Sequence, residues 1–260
     1  MRSFPAILTS RYQGLEQAAH VLSTVLQQIR KELHPGKSTL ELDQLAEELI
    51  RSQGAEPAFK GYVVEGRRYH YTLCISIDHE VVHGMPSAER RLQEGQLVSI
   101  DCGVRKGSYY ADAAFTVGIG SISAEAECLL KVTEEALWLG IEQATPGNRV
   151  YDIAAAIQQH VERHNCSVIR ELTGHGIGRR LHEAPSIPNF VPTGNLRWRF
   201  PNERLRSGQA IAIEPMVAVG LPDVRVAADG WTVYTADGSL AAHFEHTVLV
   251  ASPPIVLTHW

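Results

Sequence analysis

The sequence predicts an α+β fold in which one arrangement, two helices followed by a group of strands, is laid down twice around a central antiparallel sheet. Three observations carry this reading. Two stretches of helical hydrophobic spacing open the chain, a second pair begins after residue 122, and short β-rich runs follow each pair. In order, residues 12–33 carry Leu15, Ala18, Leu22, Val25, Leu26, Ile29 and Leu33 at helical spacing, and His34-Pro35-Gly36 stops the helix. Ser38-Thr39-Leu40-Glu41 reads as a capping box that opens a second helix, with Leu42, Leu45, Leu49 and Ile50 inward and Gly54 past its end. Strand-like runs follow at 72–77, 97–104 and 109–117, the last two joined by an Arg105-Lys106-Gly107-Ser108 turn. Ser123 caps a third helix that Thr145-Pro146-Gly147 breaks, and a fourth helix covers 151–163. Runs at 167–172, 209–219, 231–234 and 244–250 complete the second round. No low-complexity linker interrupts the chain, so residues 1–260 read as a single domain. The halves share no obvious identity, and the duplication is inferred from architecture alone.

A hydrophobic fraction of 44% and a net charge of -5 are ordinary for a globular protein, and charges of both signs are interspersed. Nucleic-acid binding, which needs a basic face or tail, is not expected. Nor is a membrane span, because no apolar run approaches about 18–20 residues. Met1-Arg2-Ser3-Phe4-Pro5 lacks the apolar core of an export signal, and Cys74, Cys102, Cys128 and Cys166 form no C-x-x-C pair. The expectation is a cytoplasmic protein with reduced thiols.

Carboxylates are unusual inside apolar strands, because an unpaired buried charge is costly. Here Asp101 sits in Val98-Ser99-Ile100-Asp101-Cys102-Gly103, and Asp112 in Tyr109-Tyr110-Ala111-Asp112-Ala113-Ala114-Phe115. Glu214 follows Ala210-Ile211-Ala212-Ile213, and Glu245 precedes His246-Thr247-Val248-Leu249-Val250. Asp101 and Asp112 should lie roughly opposite each other on one hairpin and share a face. His175, in the glycine-rich turn Gly174-His175-Gly176-Ile177-Gly178, adds a nitrogen donor. Two divalent ions neutralise four carboxylates, and oxygen-rich ligation with one imidazole suits Mn, Fe, Co or Zn. Such a pair activates water and polarises a carbonyl, which is hydrolytic chemistry. Singly, each residue has a plainer explanation: a strand acid facing solvent, a glutamate before proline in a turn, a histidine in a glycine loop. Only the combination points to a metal centre.

The same residues resemble the motifs of methionine aminopeptidases. Ser76-Ile77-Asp78-His79-Glu80-Val81-Val82-His83-Gly84-Met85-Pro86 is similar to that family's histidine-bearing segment. Ile100-Asp101-Cys102-Gly103, Tyr110-Ala111-Asp112, Gly174-His175-Gly176-Ile177-Gly178, His182-Glu183-Ala184-Pro185, Ala212-Ile213-Glu214-Pro215-Met216 and Phe244-Glu245-His246-Thr247 complete the set in order. The resemblance runs from the first helix to about residue 250. It implies the duplicated pita-bread fold and a metal-dependent aminopeptidase that hydrolyses the first peptide bond, removing the initiator methionine from nascent proteins. It also implies two divalent ions (Co, Mn, Fe, Zn or Ni). Asp112 and Glu245 would bridge them, Asp101 would bind one, and His175 with Glu214 the other. A metal-bridging water would be the nucleophile, Glu214 its proton shuttle, and His83 and His182 would contact the scissile amide and the tetrahedral species. Phe59, Tyr62, Cys74, Leu181 and Trp231 would form the methionine pocket.

The short type I form fits best. Few residues precede the first helix, whereas proline-directed relatives carry an extra N-terminal domain, and the interval from His175 to Glu214 is too short for the type II insertion. The implied partners are the N-termini of nascent polypeptides. A monomer is implied, and ribosome association would suit such an enzyme although no segment argues for it. Three departures bear on substrate preference and metal affinity: longer segments at 63–71 and 190–206, and His243 where the family has glutamine. The alternatives are a proline-directed or general aminopeptidase, and a binding protein that keeps the fold without catalysis.

Overall fold

The computed structural model describes residues 6–260; Met1–Pro5, on which the reading of a missing export signal rests, lie outside the described residues. Helix α1 (Ala6–Lys31) begins earlier than its hydrophobic spacing suggests and buries Leu15, Ala18, Leu22, Val25, Leu26 and Ile29. Helix α2 (Thr39–Ser52) opens on the expected capping box: Ser38 Oγ accepts from Glu41 N, and Glu41 returns its carboxylate to Ser38 N. Helices α3 (Ala124–Glu142, capped by Ser123) and α4 (Val150–Arg163) form the second pair and pack on each other.

Against α1 lies the long hairpin of strands Leu97–Lys106 and Tyr109–Gly118, with Leu73–Ile77 on its outer edge. The second sheet runs in the order Glu183–Ile187, Gly174–Gly176, Ala210–Ile213, His246–Leu249, Ile255–Val256. All these pairings are antiparallel. The halves join where Glu245 N donates to Ala114 O (2.8 Å) and Ala114 N donates back to Glu245 O (3.3 Å). The pattern of two helices and then strands, twice over, is therefore present.

Several local expectations change. The hairpin turns at Gly107-Ser108, so Asp101 faces Ala114 and Asp112 faces Gly103 rather than each other. This displaces the pairing by two residues, and a two-residue shift keeps both acids on one face. The run at 209–219 divides at Glu214-Pro215 into Ala210–Ile213 and Met216–Ala218, which pair with different strands. The run at 244–250 keeps the strand His246–Leu249, and a separate strand, Ala241–His243, ends just before it at Phe244-Glu245. Both glutamates of the expected site thus sit at breaks where the chain changes sheet. Residues 167–172 keep only the strand Ser167–Val168.

Gly174-His175-Gly176 is a strand, not a turn. Its glycines are needed for closeness: a Cβ on Gly174 would meet Ala212 O at 2.4 Å, and one on Gly176 would meet Ala184 O at 2.3 Å. The longer segment at 63–71 folds as a small hairpin, Val63–Val64 against Arg67–Arg68, turning at Glu65-Gly66 with both φ positive. Within 190–206 there is a single helical turn, Leu196–Arg199.

Candidate metal centre

Every residue expected at the site from sequence lines one cavity of about 150 Å³: Asp101, Asp112, His175, Glu214, Glu245, His83, His182, Phe59, Tyr62, Cys74, Leu181 and Trp231. Strand alternation delivers Asp101 and Asp112, the crowded strand Gly174–Gly176 delivers His175, and the two strand breaks deliver Glu214 and Glu245. One ligand atom each from Asp112, His175 and Glu245 lie within 4.8 Å of one another. His175 Nε2 is 3.6 Å from Glu214 Oε1 and 3.9 Å from Asp112 Oδ2. His175 Nδ1 lies 2.9 Å from the carbonyl of Gly176. A carbonyl only accepts, so that nitrogen carries the ring proton and Nε2 is left as a donor atom for a metal.

The electrostatics of the cluster call for cations. Asp101 Oδ1, Asp112 Oδ1 and Glu245 Oε1 are sealed from solvent without a hydrogen-bond partner. Burial raises the Asp101 carboxyl to about 8. Burial first, and then Glu245 and Asp101, push Asp112 far above its ordinary range. Glu214 is raised by burial, Asp112 and Asp101, and Glu245 by burial, Glu214 and Asp101. His175 moves the other way, to about 3, through burial and the neighbouring His182. Four mutually repelling acids around a neutral imidazole are a poor arrangement for the protein alone and a good one for divalent ions. The donor set fits oxygen-preferring transition metals.

The two further histidines flank the cluster. His182 is exposed, its ring centroid 4.3 Å from that of His175, and its Nδ1 lies 2.7 Å from the Tyr62 hydroxyl. With the phenol as donor, the imidazole proton sits on Nε2. His83 has φ of 60°, a left-handed conformation that costs a histidine free energy and is retained chiefly at functional positions. Burial, with His182 nearby, takes its ring down to about 4, so it is neutral at physiological pH. Trp231 is held by Asp229, which accepts from Trp231 N (2.7 Å) and Thr232 N (2.9 Å).

Sequence reasoning missed the supports. Asn189 Nδ2 donates to Glu214 O (3.0 Å). Thr247 Oγ1 accepts from Asp112 N (3.0 Å) and donates to Asp112 O (2.8 Å). Tyr69 and Val64, from the longer segment, also line the cavity, and Tyr69 packs edge-on against Trp231 at 5.1 Å. The unusual length of residues 63–71 was the only signal for these two; Asn189 and Thr247 carry none.

Comparison with known proteins agrees with this geometry. The sequence model of metallopeptidase family M24 matches residues 13–252. The chain is 45% identical over 245 residues to the methionine aminopeptidase of Clostridium perfringens, covering 94% of each chain. It is 43% identical to methionine aminopeptidase 1 of Bacillus subtilis over 93% of this chain and 94% of that one. The crystal structure of methionine aminopeptidase from Thermotoga maritima superposes with a TM-score of 0.90 at 38% identity, over the whole of both chains. The prolidase from Pyrococcus furiosus shares the fold at TM-score 0.75 and 22% identity, but this chain covers only 64% of it. The chain belongs to metallopeptidase family M24, among its methionine aminopeptidases.

Proposed function

We propose that the chain is a methionyl aminopeptidase: it hydrolyses the first peptide bond and releases methionine from the N-termini of polypeptides, with two divalent metal ions held by Asp101, Asp112, His175, Glu214 and Glu245. The observation that carries this reading is the set of buried, unpartnered carboxylate oxygens around His175 Nε2, opening onto a cavity with apolar and aromatic walls. When bound, the ions polarise the scissile carbonyl and make water nucleophilic near neutral pH.

The protein's own groups do the rest. Phe59, Tyr62, Cys74, Leu181 and Trp231 enclose a flexible thioether by shape and dispersion. Glu214 takes the proton of the attacking water and passes it to the leaving amine. His182, oriented by Tyr62, and His83, fixed by its strained backbone, give N–H donors to the scissile amide and to the charge that develops on its oxygen. Residues 1–260 act as one catalytic unit in this reading. No helix among the described residues is long and apolar enough to cross a membrane, and the four cysteines are unpaired. The reading places the enzyme as a cytoplasmic monomer that acts on nascent chains.

The test is hydrolysis of Met-Ala-Ser, Leu-Ala-Ser and an X-Pro peptide by metal-stripped protein, before and after addition of Mn, Co, Fe or Zn. Metal-restored cleavage confined to the methionine peptide is expected. Preferred cleavage of the X-Pro peptide would move the enzyme to the proline-directed branch. Trp231→Ala should lower the preference for methionine over leucine by about tenfold, the scale of apolar pocket discrimination; an unchanged ratio removes Trp231 from the pocket.

A further inference from the structure

One more imidazole beside the cluster shares the condition of its carboxylates. His243 is 2% exposed, and neither ring nitrogen has a hydrogen-bond partner. Buried polar groups are nearly always paired, and an unpaired one calls for an explanation. The Nε2 atom lies 3.8 Å from Glu214 Oε2, while the other oxygen of that carboxylate, Oε1, faces His175. Glu214 is thus flanked by two imidazoles, one on each oxygen.

The backbone of His243 is firmly held. It pairs with Met216, two residues beyond Glu214, in the ladder of Ala241–His243 with Met216–Ala218. Thr116 Oγ1 lies 2.8 Å from His243 O and 2.9 Å from His243 N, and the same hydroxyl meets Ser99 Oγ at 2.8 Å. Sheet pairing and the Thr116 hydroxyl therefore fix the backbone from which the buried imidazole reaches Glu214.

We propose that His243 is a positioning residue for Glu214, donating its Nε2–H to Oε2 and so presenting Oε1 beside His175. The inference rests on the reading of Glu214 as a metal ligand. The 3.8 Å separation is too long for a hydrogen bond, and the contact closes as the carboxylate settles as an anion on a cation. A neutral donor on the outer oxygen fixes the rotamer of Glu214 without adding charge. Loss of such outer partners typically costs about 10- to 100-fold in metal affinity. The effect should fall on the ion that His175 and Glu214 share, and not on the one held by Asp101.

The test is calorimetric titration of metal-stripped wild type, His243→Leu, His243→Gln and Glu214→Gln with Mn²⁺, with circular dichroism to confirm folding. His243→Leu should lose about 10- to 100-fold in affinity for one ion and keep the other, and His243→Gln, which retains an N–H donor, should recover most of the loss. Unchanged binding of both ions by a folded His243→Leu overturns the proposal. If Glu214→Gln also binds both ions normally, it is the assignment of Glu214 that fails; if only Glu214→Gln is weakened, the role of His243 alone fails. Should His243→Leu not fold, ¹⁵N-histidine spectra of the wild type decide. On loading with Zn²⁺, the His243 Nε2 should remain protonated and its proton should move downfield. A metal-coordinated His243 nitrogen, or an unmoved proton, overturns the assignment.

Discussion

Asp43 and the acids of the metal centre are all buried carboxylates, buried in opposite ways. Asp43, on α2, is 3% exposed and gives Oδ1 to Thr72 N (2.7 Å) and Leu73 N (2.8 Å), tying the helix to the head of strand Leu73–Ile77. Asp101, Asp112 and Glu245 are buried to a similar degree, but each keeps an oxygen that nothing in the chain satisfies. Residue type and burial do not separate the two cases. Partnership does: the backbone completes Asp43, whereas the cluster is completed only from outside the chain. An inward carboxylate points to a metal when the fold leaves it unmatched.

Removing one member on each side gives the largest contrast. His175→Ala or Glu214→Ala should reduce kcat/KM by at least about 10³-fold, or about 4 kcal/mol, in a protein that still folds. Added Mn²⁺, which should raise the melting temperature of the wild type, should do so far less in either variant. Asp43→Ala should behave in reverse, keeping the response to Mn²⁺ while losing about 3 kcal/mol of stability as two buried N–H groups lose their acceptor. Turnover retained in His175→Ala would end the ligand assignment.

The pH response of Asp43 sharpens the same contrast without touching the metal. Burial raises its carboxyl to about 6 from an ordinary 3.8, outweighing the two backbone donors that favour the anion. The folded state therefore holds this proton more tightly than the unfolded chain does. Stability from this group is greatest below pH 4 and declines as pH rises to about 6, by about 3 kcal/mol in all. Asp43→Asn keeps an oxygen for Thr72 and Leu73 but cannot ionise, so it should gain stability relative to wild type between pH 4 and pH 7. Urea unfolding of both metal-free proteins at the two pH values measures this, and a constant difference between them would exclude it.

The contrast also explains how much could be read from the sequence. The capping box of α2 was legible because Ser38 and Glu41 act within one turn. Asp101 and Asp112 survived an error of two residues in the turn, because strand alternation has a period of two. Glu214 and Glu245 were found, but the change of sheet that aims each was not: Pro215 marks a turn, yet only the pairing shows that the strands on either side of each glutamate join different sheets. Asp43 drew no notice, since an acid on a helix normally faces water; its partners lie 29 and 30 residues away. Asn189, Thr247 and Thr116 were hidden for the same reason, as polar residues whose partners are brought near only by the tertiary fold.

Thr247 supplies the finest test, because it separates the backbone of the site from its side chains. The Asp112 carboxylate is left unmatched by the chain, yet its backbone N–H and C=O are both satisfied by the Thr247 hydroxyl. Thr247→Val keeps the shape of the side chain and deletes both bonds, leaving two buried groups of Asp112 unpaired. The expected cost is about 2 kcal/mol in the metal-free protein, read as a lower urea midpoint with an unchanged slope. Ser108→Ala, in the exposed turn of the same hairpin, should stay within about 0.5 kcal/mol of wild type. Should Thr247→Val match the wild type, Asp112 would have another way to satisfy its backbone, and the hairpin alone would hold it. A clear loss would mean that the second half of the molecule holds the ligands of the first in place, one hydroxyl fixing the backbone from which an unpartnered carboxylate projects.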